Sequence, residues 1–102
     1  MTSPESAVAA FKQSIMGEGP PQGLSLPLLA LWWDRRGEWE RAHACAQGDE
    51  SAAGAWVHAF LHRREGDLAN AAYWYRRAGK PTPDHGLDEE WNTIAGTLLA
   101  GG

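Results

Sequence analysis

The sequence holds a single cysteine, Cys45, so no disulfide can form within the chain. That scarcity fits a reducing compartment, and a cytoplasmic location is expected. Basic charge is also short: nine Lys and Arg stand against thirteen Asp and Glu, a net charge of −4. This balance excludes nucleic-acid binding through a globally basic surface, although three Arg-Arg pairs, Arg35-Arg36, Arg63-Arg64 and Arg76-Arg77, make local patches. The longest apolar run, LPLLALWW from Leu26 to Trp33, falls far below the ~20 residues of a membrane-spanning helix, so no membrane partner is expected. The opening MTSPESAVAAFKQS has no basic stretch followed by an apolar one, which is not the pattern of a secretory signal. Sustained alternation is missing, as are Asn-Gly or Asp-Gly turns between β-branched runs, and strands are not expected. There is no HExxH pair, serine elbow, phosphate-cradling glycine loop or dinucleotide motif. No enzyme class is indicated and no cofactor is expected.

What remains is helical. The 102 residues suffice for one domain with one core. Six tryptophans are many for this length, and each buried ring removes a large area from water. A first helix is predicted from Ser3-Pro4-Glu5 to about residue 16, with Val8, Phe11 and Ile15 on one face. GEGPPQG, residues 17–23, is a break. Further helices are predicted over about 26–36, 38–47, 51–65 and 67–79, punctuated by Gly37, Gly48, Gly66 and Gly79. A last helix, 87–99, carries Leu87, Trp91, Ile94 and Leu98 in one stripe.

Two segments match each other. LLALWWDRRGEWERAHA aligns with HAFLHRREGDLANAAYW when Gly37 is set on Gly66, a spacing of 29 (66 − 37). Ala30 then meets Ala59, Arg35 meets Arg64, Glu38 meets Asp67 and Ala42 meets Ala71. Each unit reads as helix, Gly-acid corner, helix. Glycine supplies the positive φ of a tight corner, and the acid suits the start of the following helix. EGDLANAAYWYRRAG followed by Pro83 resembles the second half of a tetratricopeptide-type repeat, and YWYRRAG is similar to its Sel1-like variant. Gly66 and Asp67 match the family's turn, Ala71, Tyr75 and Ala78 its small-aromatic-small pattern, and Pro83 its closing proline. The clearer unit covers residues 52–83 and a degenerate one 23–47. The spacing is shorter than the family's ~34 residues, and His58-Ala59 and His62 stand where the family carries Leu-Gly and an aromatic. The resemblance implies an all-α fold of antiparallel helical hairpins, a short right-handed stack of five to six helices, with helices 3–16 and 87–99 as flanking caps.

Two kinds of site follow. The family's groove positions fall on Leu31, Asp34 and Arg35 in the first unit and on Trp56, Phe60, Arg63 and Arg64 in the second. An apolar patch edged by guanidinium groups suits a protein or peptide partner bringing an apolar side chain and a carboxylate. The alternative is that the N-terminal helix folds over this face and buries Trp56 and Phe60, and a homodimer through the same surface is a third outcome. The other site is histidine. His58 and His62 are four apart and share a helix face, a spacing that can hold a metal, and His43 on the preceding helix can approach them. Asp34 and Glu65 are placed to orient an imidazole. The competing reading is a polar seam in which Tyr73, Tyr75 or Asn70 bonds the rings. His85, in a Pro-Gly loop, is expected in solvent, and Cys45 is expected as a small packed residue.

Ala71 is predicted at a close approach between paired helices. Ala71→Leu is therefore expected to cost about 1–3 kcal/mol by overpacking, read as a lower denaturation midpoint; an unchanged midpoint would place Ala71 on the surface.

Overall fold

The computed structural model describes residues 4–101, and the helix start expected at Ser3 lies outside them. Among the described residues the protein is all-α, with six helices and no strand: α1 (Pro4–Ser14), α2 (Leu26–Arg35), α3 (Trp39–Gln47), α4 (Ala52–Arg64), α5 (Leu68–Ala78) and α6 (Leu87–Leu99). None is long and apolar enough to cross a membrane.

Side-chain oxygens start three of these helices. Ser25 accepts from Leu28 N at the head of α2, which also carries Pro27 in its first turn. Ser51 accepts from Gly54 N at α4, and Asp67 from Asn70 N at α5. Each satisfies a backbone donor that the helix itself cannot. Glu38 differs: its side chain makes no cap bond and turns instead toward Arg41, 3.8 Å away. The extra methylene carries its carboxylate past the backbone N–H groups that the shorter aspartate reaches.

The corners at Gly37 and Gly66 are built alike. Their φ angles are +83° and +85°, a left-handed setting that disfavours any side chain. Gly37 N bonds Asp34 O and Glu38 N bonds Trp33 O; 29 residues later Gly66 N bonds Arg63 O and Asp67 N bonds His62 O. The paired carbonyls close the helix end in the same way at both places.

α4 is the centre of the fold. It packs against α5, α3, α2 and α6, and its residues Gly54 through His62 are all buried. A helix with no solvent face reads as apolar all round, which is why AAGAWVHAFLH shows no amphipathic stripe. Trp32, Phe60, Leu31, Leu61, Val57, Tyr75, Trp91 and Ile94 complete the core, each nearly inaccessible. Three indole N–H groups tie helices together: Trp91 to Leu31 O at 3.1 Å, Trp39 to Leu61 O at 2.9 Å and Trp32 to Ser14 Oγ at 3.1 Å. Buried Trp thus keeps its polar atom bonded while the ring fills space.

The flanking helices pack in a different order from the one expected. It is α6, not α1, that covers the face of α2 and α4, and α1 lies on α6, with Phe11 stacked on Trp91 at 5.7 Å. α6 is the more apolar cover, bringing Trp91, Ile94 and Ala95. It also brings Glu90, which is 3% exposed. Arg63 Nη1 donates to Glu90 Oε1 at 2.7 Å, Arg63 Nη2 donates to His85 O, and the Tyr75 hydroxyl donates to Glu90 Oε2. Burial, followed by the Glu90 carboxylate beside it, pushes the Tyr75 phenol far up, so it stays a donor.

A buried carboxylate held by two donors is costly to break from one side, because Arg63 and Tyr75 would keep their desolvation without a partner. Glu90→Ala is expected to lower stability by about 3 kcal/mol, and Glu90→Gln by less. Urea denaturation checks this; a loss below about 1 kcal/mol would mean that water replaces the carboxylate.

Candidate metal centre

The burial of α4 forces its two histidines inside. His58 and His62 sit one turn apart and face α3, where His43 meets them. His43 Nε2 lies 3.0 Å from His58 Nε2. Ring centroids are 4.6 Å apart for His43–His58, 5.3 Å for His43–His62 and 4.8 Å for His58–His62. One nitrogen from each of the three rings lies within 4.8 Å of the others. His62 Nδ1 is 2.6 Å from Glu65 Oε1, which leaves Nε2 as its nitrogen for another partner.

Aromatic rings hold the cluster. Trp74 stacks on His58 at 3.9 Å and Trp39 on His43 at 4.9 Å. Trp39 also meets the edge region of His62 at 6.0 Å. The Trp39 indole is itself anchored on Leu61 O, so the cluster has an aromatic wall beside His43 and another beside His58.

The electrostatics favour neutral rings. Burial, then His43 and His62, push His58 down from the ordinary 6.5 to about 4. Burial and His62 push His43 down as well, against a smaller opposite pull from Glu65. At neutral pH each of these two rings therefore carries one N–H and one lone pair. Between His43 and His58, one Nε2 must donate while the other accepts. The same lone pairs are what a cation takes. Bonds of about 2.0–2.1 Å in a tetrahedral arrangement separate ligand nitrogens by about 3.3–3.4 Å. The His43–His58 pair is already close to that, and the wider approaches need modest ring movement. Glu65 behind His62 supplies the outer carboxylate that fixes tautomer and orientation in such sites. Glu65 and Asp67 also lie within reach of one another and of His62, but both acids face solvent.

The other residues expected around the histidines are engaged elsewhere. Tyr75 bonds Glu90, Tyr73 accepts from Arg77 and Asn70 pairs with Asp67. Asp34 does not orient an imidazole: Arg64 Nε sits 2.7 Å from its Oδ1. Burial raises the Asp34 carboxyl above its usual value against that pull. Cys45 is half-buried, and burial raises its thiol, which removes thiolate character. His85 is half-buried rather than fully in solvent, its ring near Glu89 and Asp84.

The seven groove positions do not form an open surface. Leu31 and Phe60 are wholly inaccessible, and Trp56 and Asp34 are buried. Arg63 is clamped on Glu90, and Arg35 pairs with Asp88 at 3.2 Å while lying over the Trp91 ring at 4.8 Å. α6 brings to this face an apolar anchor, Trp91, and a carboxylate, Glu90, the two groups expected of a bound partner. Trp39 and Trp74 were not anticipated around the histidines. The i, i+4 spacing of Trp39 and His43 was the available signal; nothing local marks Trp74.

A neutral His58 makes the fold sensitive to acid. Its folded value lies below its unfolded one, so the contribution is complete above about pH 6.5 and is lost as pH falls toward about 4. This ring is expected to remove about 3 kcal/mol across that range, and His58→Phe to flatten the acid limb. Parallel denaturation curves for wild type and variant, measured from about pH 7 to about pH 4, would contradict it.

No protein-family model matches the chain, and no curated protein or solved structure is significantly similar to it.

Proposed function

We propose that this protein is a small helical-repeat metal-binding protein, which holds one divalent transition-metal ion between His43, His58 and His62. The observation that carries this reading is the convergence of three imidazole nitrogens within 4.8 Å of one another, with Glu65 already on the far side of one ring. The donor set suits the ions that imidazole prefers, zinc, copper, nickel, cobalt or iron(II), and not magnesium or calcium, which take oxygen.

The matched corners at Gly37 and Gly66 support α2–α3 and α4–α5 as two units of one Sel1-like stack, with α6 as its closing helix. In that frame the ion bridges the second helix of one unit to the first helix of the next. Binding there would clamp the joint between units, and the folded chain would gain stability as the ion concentration rises above its dissociation constant.

Purified protein is expected to bind one equivalent of Zn2+ or Co2+ and to melt at a higher temperature with it, and to show neither response with Mg2+. Ala in place of His43, His58 or His62 should abolish tight binding, while Glu65→Gln should weaken it about 10–100-fold. Calorimetry and thermal melts provide the measurement. Equal Zn2+ affinity in wild type and His62→Ala, or no binding to wild type, would remove the proposal.

A further inference from the structure

Three protein nitrogens leave one position of a four-coordinate ion to be filled from outside. Resting on the metal reading above, we infer that this position takes a small carboxylate, which enters through the cleft at the α3–α4 corner and is gripped there by Arg77. His58 belongs to both places: it is one of the three clustered rings, and it lines a cleft of about 470 Å3.

The cleft continues the histidine seam by one helical turn. Ala46 follows His43 by three residues on α3, and Ala55 precedes His58 by three on α4; both line the cleft, and neither side chain is large enough to close it. The corner loop is pressed against α4 because position 54 is glycine. A Cβ there would stand 2.1 Å from Asp49 O, closer than any side chain tolerates. The opposite wall is Trp74, stacked on His58 at 3.9 Å. The Arg77 guanidinium lies 5.3 Å from that indole and donates one N–H to Tyr73 Oη at 3.2 Å.

The charges select the ligand. Without an ion, Arg77 shares the cleft with Asp49 and Glu50, and an anion would meet a negative excess. Asp49 is partly committed, since it accepts the Ser51 N–H at 2.7 Å. A bound divalent cation is the largest local charge: with Arg77 it outweighs the two acids of the cleft, and with Glu65 behind His62 counted as well it removes the negative excess. A carboxylate offers an oxygen to the ion and a planar edge to the guanidinium fork. Anion binding is therefore conditional on the metal, and by linkage the anion tightens the metal in return.

Co2+-loaded full-length protein reports both events, because the visible spectrum of the ion follows its coordination. Titration with acetate is expected to shift the Co2+ bands to saturation, and Arg77→Ala to weaken acetate about tenfold while leaving Co2+ affinity unchanged. Metal-free protein should give no heat with acetate. Failure of Co2+ to bind would remove the metal reading and this inference with it. Co2+ bound normally, with bands that acetate does not move, or that move equally in Arg77→Ala, would overturn the inference alone. A shift with inorganic phosphate but none with acetate would overturn it as well.

Discussion

The removal of α4 from water on every side is the constraint from which the rest of the architecture follows. A helix of thirteen residues with nine consecutive buried positions needs neighbours all the way round, and a chain of this length can supply them only by wrapping its other helices about one axis. α3 and α5 take adjoining flanks, α2 and α6 the remainder, and α1 is left to lie on α6. The gain is the apolar area of Trp56, Val57, Ala59, Phe60 and Leu61, at roughly 25 cal/mol for each Å2 withdrawn. The cost is that any polar residue in this stretch goes inside too.

His58 and His62 are those residues. Buried polar groups persist only when something answers their hydrogen-bonding capacity, and here the answers come from an imidazole on α3 and a carboxylate at the end of α4. Burial also lowers the basicity of His58 and His43, which keeps their lone pairs unprotonated at neutral pH. One physical cause thus underlies the expected acid sensitivity and the suitability of the cluster as a cation ligand set. The flanking indoles of Trp39 and Trp74 add stiffness, so the rings have little conformational entropy left to lose.

Helices and corners were legible because their signals are local. Ser25, Ser51 and Asp67 act within three residues, and the glycines at 37 and 66 announce themselves by their backbone demands. The closeness of His43 to His58 and His62 followed from the register of the two matching segments. What escaped was long-range. Whether α1 or α6 lies over α2 and α4 depends on which helix can answer Arg63 and Leu31 O, and the residues that do so, Glu90 and Trp91, sit 27 and 60 positions away from them. Glu90 ends the acidic segment DHGLDEE, residues 84–90, and only the tertiary fold makes it a buried partner of Arg63 and Tyr75. Trp74 against His58 was hidden for the same reason, since aromatic stacking leaves no sequence period.

His62, Arg63 and Arg64 are successive residues, and each addresses a different helix: His62 the α3 seam, Arg63 the carboxylate of α6, Arg64 the carboxylate of α2. Neighbouring side chains on a helix diverge by about 100°, so a single turn acts as a three-toothed key. Apolar packing alone would tolerate some sliding or twisting of a rod among its neighbours. This key does not, because a slip of one residue would swing every tooth toward the wrong lock at once. The rotational setting of the central rod is thereby fixed by two ion pairs and a ring contact, and the imidazole cluster is held in register with the far side of the molecule.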